Sequence, residues 1–230
     1  MKQAVLFTVA GLFCVGLAVY RPGVVPSPLL AWCGVAVGSV GVAYGVGSPR
    51  VFGKRADGTL AWWAIALLLP YLLVQWATWW CWKALSREPA WHEVAPGLCL
   101  GRRAIGRELP KEVGVVVDLT DGFPKPWDYA PGIEYVALPT LDGRPPPRAA
   151  AMALLARLAE DPRGLYVHCA QGHGRSATLV TLLLVLRNVT PTIDEAVGLV
   201  QARRPAVGLS RAQYRFAQGI IQVMTRGPGI

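Results

Sequence analysis

Acidic side chains are scarce in this chain of 230 residues: 14 Asp and Glu stand against 23 Lys and Arg, and only Asp57 among the acids precedes residue 88. Charge of either sign is sparse (16%) while 53% of residues are hydrophobic, too oily for one ordinary soluble domain. Only three histidines are present, and the five cysteines show no Cys/His spacing of a metal site, so neither a metal nor another cofactor is expected. Internal repeats, low-complexity tracts and nucleic-acid motifs are missing, and the positive charges are scattered. Nucleic acid is therefore not the expected partner despite the net charge of +9.

The apolar excess lies in residues 1–82, where three runs match the ~20 apolar residues a bilayer-spanning helix needs. They cover about 4–20, 29–47 and 60–82, the last being 23 residues without a charge. Trp62 and Trp63 at one end of the third run, and Trp76, Trp79, Trp80 and Trp82 at the other, resemble interfacial aromatic belts. Pro70 is expected to kink that helix. Arg21, Pro22, Pro26 and Pro28 make the first connection, and Ser48–Thr59 the second. Lys2 before an apolar run also fits a signal peptide, but no small-x-small cleavage site falls between Val19 and Val25. A two-span arrangement, with the second run re-entrant, stays open.

Residues 83–230 have the composition of a small globular domain, with 18 Lys and Arg against 13 Asp and Glu. A basic domain tethered to a bilayer favours anionic lipid surfaces. Val94–Gly101 reads as a hairpin with a Pro-Gly turn, Val113–Leu119 and Ile133–Leu138 as strands, and Pro147–Ala159, Thr192–Arg203 and Ser210–Thr225 as helices. Strands alternating with helices predict an α/β domain with a central sheet, preceded by an all-α transmembrane region of about three helices.

The most informative stretch is His168–Ser176, HCAQGHGRS. A short β-prone run, Leu165–His168, leads into it, and an apolar helix, Ser176–Arg187, follows. Strand, glycine-rich loop and helix N-terminus in that order form a nest of backbone N–H groups suited to an anion. Cys169 at its base is favoured as thiolate, and Arg175, six positions on, supplies a fork matching two phosphate oxygens. Ala170, Gln171, Gly172, His173 and Gly174 are the expected phosphate-binding loop. The plainer alternative is a buried thiol in a glycine-rich turn.

This stretch resembles the signature H-C-x5-R-[S/T] of cysteine-dependent protein tyrosine and dual-specificity phosphatases, met here by His168, Cys169, Arg175 and Ser176. In rhodanese-like loops the arginine sits one residue closer to the cysteine. In low-molecular-weight phosphatases the loop lies near the start of the domain. The resemblance covers roughly residues 91–225 and implies a dual-specificity phosphatase-like fold. It also implies an aspartate acid in an apolar-Pro-x-x-Asp pattern. Leu138, Pro139, Thr140, Leu141 and Asp142 match that pattern, 27 residues before Cys169, while Asp121 and Asp128 stay open as alternatives. The implied chemistry is thiolate attack by Cys169, oxyanion binding by Arg175 and the loop, and proton transfer by Asp142. Ser176 would assist the sulfur, and His168 would orient the loop from beneath.

The expected activity is phosphate-monoester hydrolysis at a membrane. The substrate is open between a phosphorylated lipid headgroup and a phosphoprotein. His173, at a loop position that is basic in some phosphoinositide-directed relatives, points to lipid, as do Arg144, Arg148, Arg203, Arg204 and the tryptophans just before the domain. A catalytically silent phosphate-binding protein is the non-enzymatic alternative. Flanking charges barely discriminate orientation, but a reactive thiolate favours a reducing, cytoplasmic side. A backdoor disulfide between Cys99 and Cys169 finds no support in their spacing.

Overall fold

The computed structural model describes residues 2–20 and 27–226. The expected connection at Arg21, Pro22 and Pro26 lies outside the described residues. The chain divides into two compact units, Met1–Arg87 with Asp121–Pro124, and Glu88–Thr120 with Lys125–Ile230.

The first unit is built on three helices, α1 (Lys2–Tyr20), α2 (Ser27–Val46) and α3 (Trp62–Leu85), each long and apolar enough to cross a membrane. Their mean hydropathies are 2.0, 1.8 and 1.4. α1 and α2 pack backbone to backbone because glycine faces glycine. A Cβ on Gly11 would lie 2.7 Å from Gly34 O, and one on Gly41 would lie 2.7 Å from the Thr8 nitrogen. Large apolar side chains such as Leu6, Leu12, Phe13, Val42 and Leu73 are left exposed.

Pro70 does not interrupt α3. Proline lacks the N–H that would bond the carbonyl four residues back, here Ala66. The indole of Trp32 on α2 donates to Ala66 O at 2.9 Å and to Leu67 O at 3.2 Å, replacing the missing donor. α3 also continues past Trp82, the expected end of this region, to Leu85. Lys83 is accommodated because its ammonium lies over the rings of Trp79 and Trp80, at 5.5 and 5.1 Å. The break between units falls at Arg87/Glu88 rather than at 82/83. Asp121–Pro124 joins the first unit because Trp76 Nε1 donates to Gly122 O at 2.8 Å and Phe123 packs edge-on to Trp79.

The second unit holds a five-stranded sheet of order β1-β2-β5-β3-β4. Its strands are β1 (Trp91–Ala95), β2 (Leu98–Arg102), β3 (Val113–Asp118), β4 (Glu134–Ala137) and β5 (Gly164–Cys169). β1 and β2 form the antiparallel hairpin expected at the Pro-Gly turn, and β2, β5, β3 and β4 run parallel. One sheet face carries Leu98, Leu100, Val115, Val117, Leu165 and Val167, packed with helices α4 (Arg148–Ala159), α5 (Arg175–Leu186), α6 (Ile193–Arg203) and α7 (Arg211–Arg226). α5 is buried from Arg175 to Val185, which explains its nearly continuous apolar sequence. The other face is a smaller cluster of Cys99, Val116 and Tyr166 covered by Trp91, Tyr129 and Tyr135. The parallel strands end together at Arg102, Asp118, Ala137 and Cys169, the edge at which open α/β sheets bind ligands.

Candidate active site

Cys169 is the last residue of β5 and Arg175 the first of α5, so residues 170–174 form the turn between them. The carbonyls of that turn all face donors outside it. Ala170 O accepts from Arg103 N, Gln171 O and Gly172 O from the guanidinium of Arg204, His173 O from Gly208 N, and Gly174 O from Thr178 N. A planar trans peptide puts each following N–H on the opposite side, so the amides of 171–175 turn inward. Among them, Gly172 N donates to Cys169 Sγ at 3.2 Å. Gly172 has φ +83, and a Cβ there would lie 2.4 Å from the Gly101 carbonyl carbon, so glycine is required twice over.

Cys169 is 3% exposed, and Ser176 Oγ donates to its sulfur at 3.3 Å. Burial alone would push this thiol up. The charge of Arg175, the Ser176 hydroxyl and the amides of Ser176 and Gly172 outweigh it and hold the pKa below the ordinary cysteine value. Cys99, buried without such donors, goes the other way, pushed up to about 12 by burial and the charge of Glu93. Cys99 pairs with Tyr166 and Cys169 with Arg102 in the β2–β5 register, and the two cysteines occupy opposite sheet faces. Three steps along a strand is roughly 10 Å, beyond the reach of a disulfide.

The Arg175 guanidinium is also buried. Nη1 donates to Thr140 O at 2.9 Å and Leu119 O at 3.5 Å, and Nη2 lies 3.2 Å from Asp142 Oδ1. Asp142 is thus brought to the arginine of the loop with its side chain 71% exposed. Its Asp-Gly turn is real as well, with Gly143 at φ +70. Asp121 Oδ1 instead accepts from Gly122 N in the turn after β3, and Asp128 lies with its main chain against Gly106. The segment carrying Asp142 is braced by the start of α7, where Ser210 Oγ donates to Gly143 O and Gln213 Nε2 to Arg144 O. Ser210 and Gln213 also exchange reciprocal side-chain-to-backbone bonds, a capping box.

His168 is fully buried beneath the loop, its Nδ1 3.2 Å from Cys169 O and 3.8 Å from Asp118 Oδ1, its ring stacked on Tyr166. Asp118 is fixed by the Thr120 amide and the Tyr135 hydroxyl. Arg204, counted in the sequence among the basic residues pointing to lipid, is instead wholly buried behind the loop. Arg148 donates to Gly219 O. Arg102 is likewise interior, bidentate to Glu108 at 2.9 and 3.1 Å.

A cysteine held below its ordinary pKa in an amide nest at the carboxyl edge of a parallel sheet, beside an arginine that pairs with an aspartate, defines a cysteine-based phosphatase-type domain. Residues 104–217 match the family model described as PTP-SAK: Swiss Army Knife protein, DSP-PTPase phosphatase domain. Over 138 residues, 54% of this chain, the sequence is 31% identical to phosphatidylglycerophosphate phosphatase PTPMT1 of Arabidopsis thaliana, and the match spans 40% of that relative's length. The crystal structure of PTPMT1 in complex with PI(5)P superposes with a TM-score of 0.53 at 19% identity, covering 60% of this chain and 97% of that one. The human tyrosine phosphatase-like serine/threonine/tyrosine-interacting protein gives 0.52 at 18% identity over 60% and 99% of the two chains. These two structural likenesses establish the shared fold. Residues 104–217 thus carry a phosphatase domain of the cysteine-dependent dual-specificity type.

Proposed function

We propose that this protein is a membrane-anchored phosphatase that hydrolyses phosphate monoesters of lipid headgroups through a phosphocysteine. The observation that carries the chemistry is the convergence of Gly172 N and Ser176 Oγ on the Cys169 sulfur beside the Arg175–Asp142 pair. Cys169 Sγ attacks phosphorus in line. The S–P bond forms as the ester P–O bond breaks, and Asp142 as carboxylic acid gives its proton to the departing alkoxide. The inward amides and Arg175 hold the equatorial oxygens, where charge accumulates. Asp142, now carboxylate, takes a proton from the water that attacks phosphorus. The S–P bond breaks, inorganic phosphate leaves and the thiolate is restored, with Ser176 stabilising it as leaving group.

Three observations support the membrane and lipid parts. α1, α2 and α3 expose large apolar side chains that water would not tolerate but a bilayer would. Glu88, where the second unit begins, lies three residues after the end of α3. The relative at 31% identity is by name a phosphatidylglycerophosphate phosphatase. A domain with a reactive thiolate belongs on the reducing, cytoplasmic side.

The burial of Arg204 and the pairing of His173 with Glu88 favour a second reading, a phosphoprotein substrate, because they remove two of the basic groups that pointed to a polyanionic headgroup. Phosphate release by the full-length protein in mixed micelles decides between them, with phosphatidylglycerophosphate, phosphoinositides and phosphotyrosyl and phosphothreonyl peptides offered side by side. Turnover of one lipid at least tenfold above any peptide is expected; the reverse order would establish the phosphoprotein reading. Release equal to that of Cys169→Ser on every substrate would overturn both.

A further inference from the structure

Arg204 is the largest fully buried side chain among the described residues, and all five of its N–H donors are used. Nε bonds Gly172 O at 3.1 Å, and Nη2 bonds Gln171 O at 2.9 Å, both in the phosphate-binding loop. The remaining bonds go to the chain just after α3: Nη1 to Pro89 O at 3.1 Å and His92 Nδ1 at 3.2 Å, and Nη2 to Glu88 Oε2 at 2.7 Å. That same Glu88 oxygen lies 2.7 Å from His173 Nε2, in the middle of the loop. Burial, and then the Arg204 charge, hold His92 below the ordinary histidine range, which suits an Nδ1 that accepts.

A buried guanidinium is tolerable only when its charge is matched. Glu88 is the carboxylate paired with it, and the same oxygen reaches the loop a second time through His173. Resting on the phosphatase reading above, we infer that the junction segment Glu88–His92 is a built part of the phosphate-binding loop. Glu88 is its positioning residue, fixing the loop through His173 and Arg204. The chain that leaves the last apolar helix is therefore a working support of the oxyanion pocket rather than a passive tether. With Glu88 removed, Arg204 is left as an unmatched buried charge, and its hold on Gln171 and Gly172 loosens. Gly172 is the residue whose amide meets the Cys169 sulfur.

The test uses the full-length protein in detergent micelles and two readouts. The first is kcat and KM on p-nitrophenyl phosphate. The second is protection of Cys169 from iodoacetamide by added inorganic phosphate, which reads the pocket without turnover. Glu88→Ala is expected to lower kcat and to weaken phosphate protection, each by about tenfold or more, the loss anticipated for hydrogen bonds to a charged group. Glu88→Gln should recover only part of both, since its amide oxygen can accept the same two bonds but leaves the Arg204 charge unmatched. The double variant Glu88→Ala/His173→Ala should be no worse than Glu88→Ala alone, because His173 acts through the same carboxylate. Should Glu88→Ala fail to fold, Glu88→Gln, His173→Ala and their double variant carry the same comparison. Wild-type kcat and wild-type protection in Glu88→Ala would overturn the inference. So would losses that multiply in the double variant, or a lowered thermal midpoint with both readouts unchanged. Phosphate release surviving in Cys169→Ser would instead sink the phosphatase reading, and the protection readout would still report on Glu88.

Discussion

Removing the Ser176 hydroxyl isolates one contribution to the cysteine's acidity. Ser176 is fully buried, and its Oγ donates to Cys169 Sγ at 3.3 Å. A hydrogen bond to a charged partner contributes roughly 1.5–3 kcal/mol, so its loss should raise the Cys169 pKa by about one to two units. The direction follows from the site: burial already pushes the thiol up, and Ser176→Ala leaves Arg175 and the amides to oppose it alone. The assay is the rate of iodoacetamide alkylation against pH, whose midpoint should move upward by that amount. Below the midpoint the slowing is smaller than the loss of thiolate, because a more basic thiolate is the better nucleophile, with a Brønsted slope of about 0.4–0.5. Breakdown of the phosphocysteine should slow by about 10–100-fold, since the leaving thiolate loses the same bond. An unchanged alkylation midpoint in folded Ser176→Ala would refute the reasoning, whatever happened to turnover.

Asp142→Asn should lower kcat by about 10²–10⁴-fold on alkyl phosphates and far less on p-nitrophenyl phosphate, whose leaving group needs no proton. An equal loss on both substrates would transfer the role to another group. Peroxide-treated protein digested without reduction should contain no Cys99–Cys169 disulfide, and mass spectrometry finding that linkage would contradict the β2–β5 register. Trp32→Phe should destabilise the helical unit in detergent by roughly 0.5–1.5 kcal/mol. In a Pro70→Ala background the cost should shrink, because the helix then supplies its own donor to Ala66 O. Equal costs in both backgrounds would show that Trp32 does not replace the proline's missing N–H.

Chemistry carried by local sequence was readable in advance. The loop from His168 to Ser176 combines turn, nucleophile and cation within nine residues, and the three apolar runs announce themselves by length. The four helices and five strands of the second unit fell close to their expected places because capping residues, prolines and Pro-Gly or Asp-Gly turns mark their ends. Support from afar was not readable. Glu88 is 85 residues from His173 and 116 from Arg204, and nothing in the spacing distinguishes Arg204 from its exposed neighbour Arg203. The strand order places β5 between β2 and β3, a consequence of crossovers that one sequence does not display. Gln213 was legible but overlooked, since Ser210 followed three residues later by Gln is the pattern of a capping box. The burial of Arg102 and Arg204 shows why basic residues counted along a chain overstate the positive surface offered to a ligand.

The central claim is a covalent intermediate on Cys169, and it can be caught directly. Asp142→Asn protein mixed with p-nitrophenyl phosphate in micelles, whose leaving group needs no proton, then quenched within one turnover and digested, should yield a peptide spanning Cys169 that carries one phosphoryl group on sulfur. Cys169→Ser, treated identically, should yield none and release no phosphate. Phosphate release by Cys169→Ser at the wild-type rate, or turnover by wild-type protein with the label found only on another residue, would contradict the account.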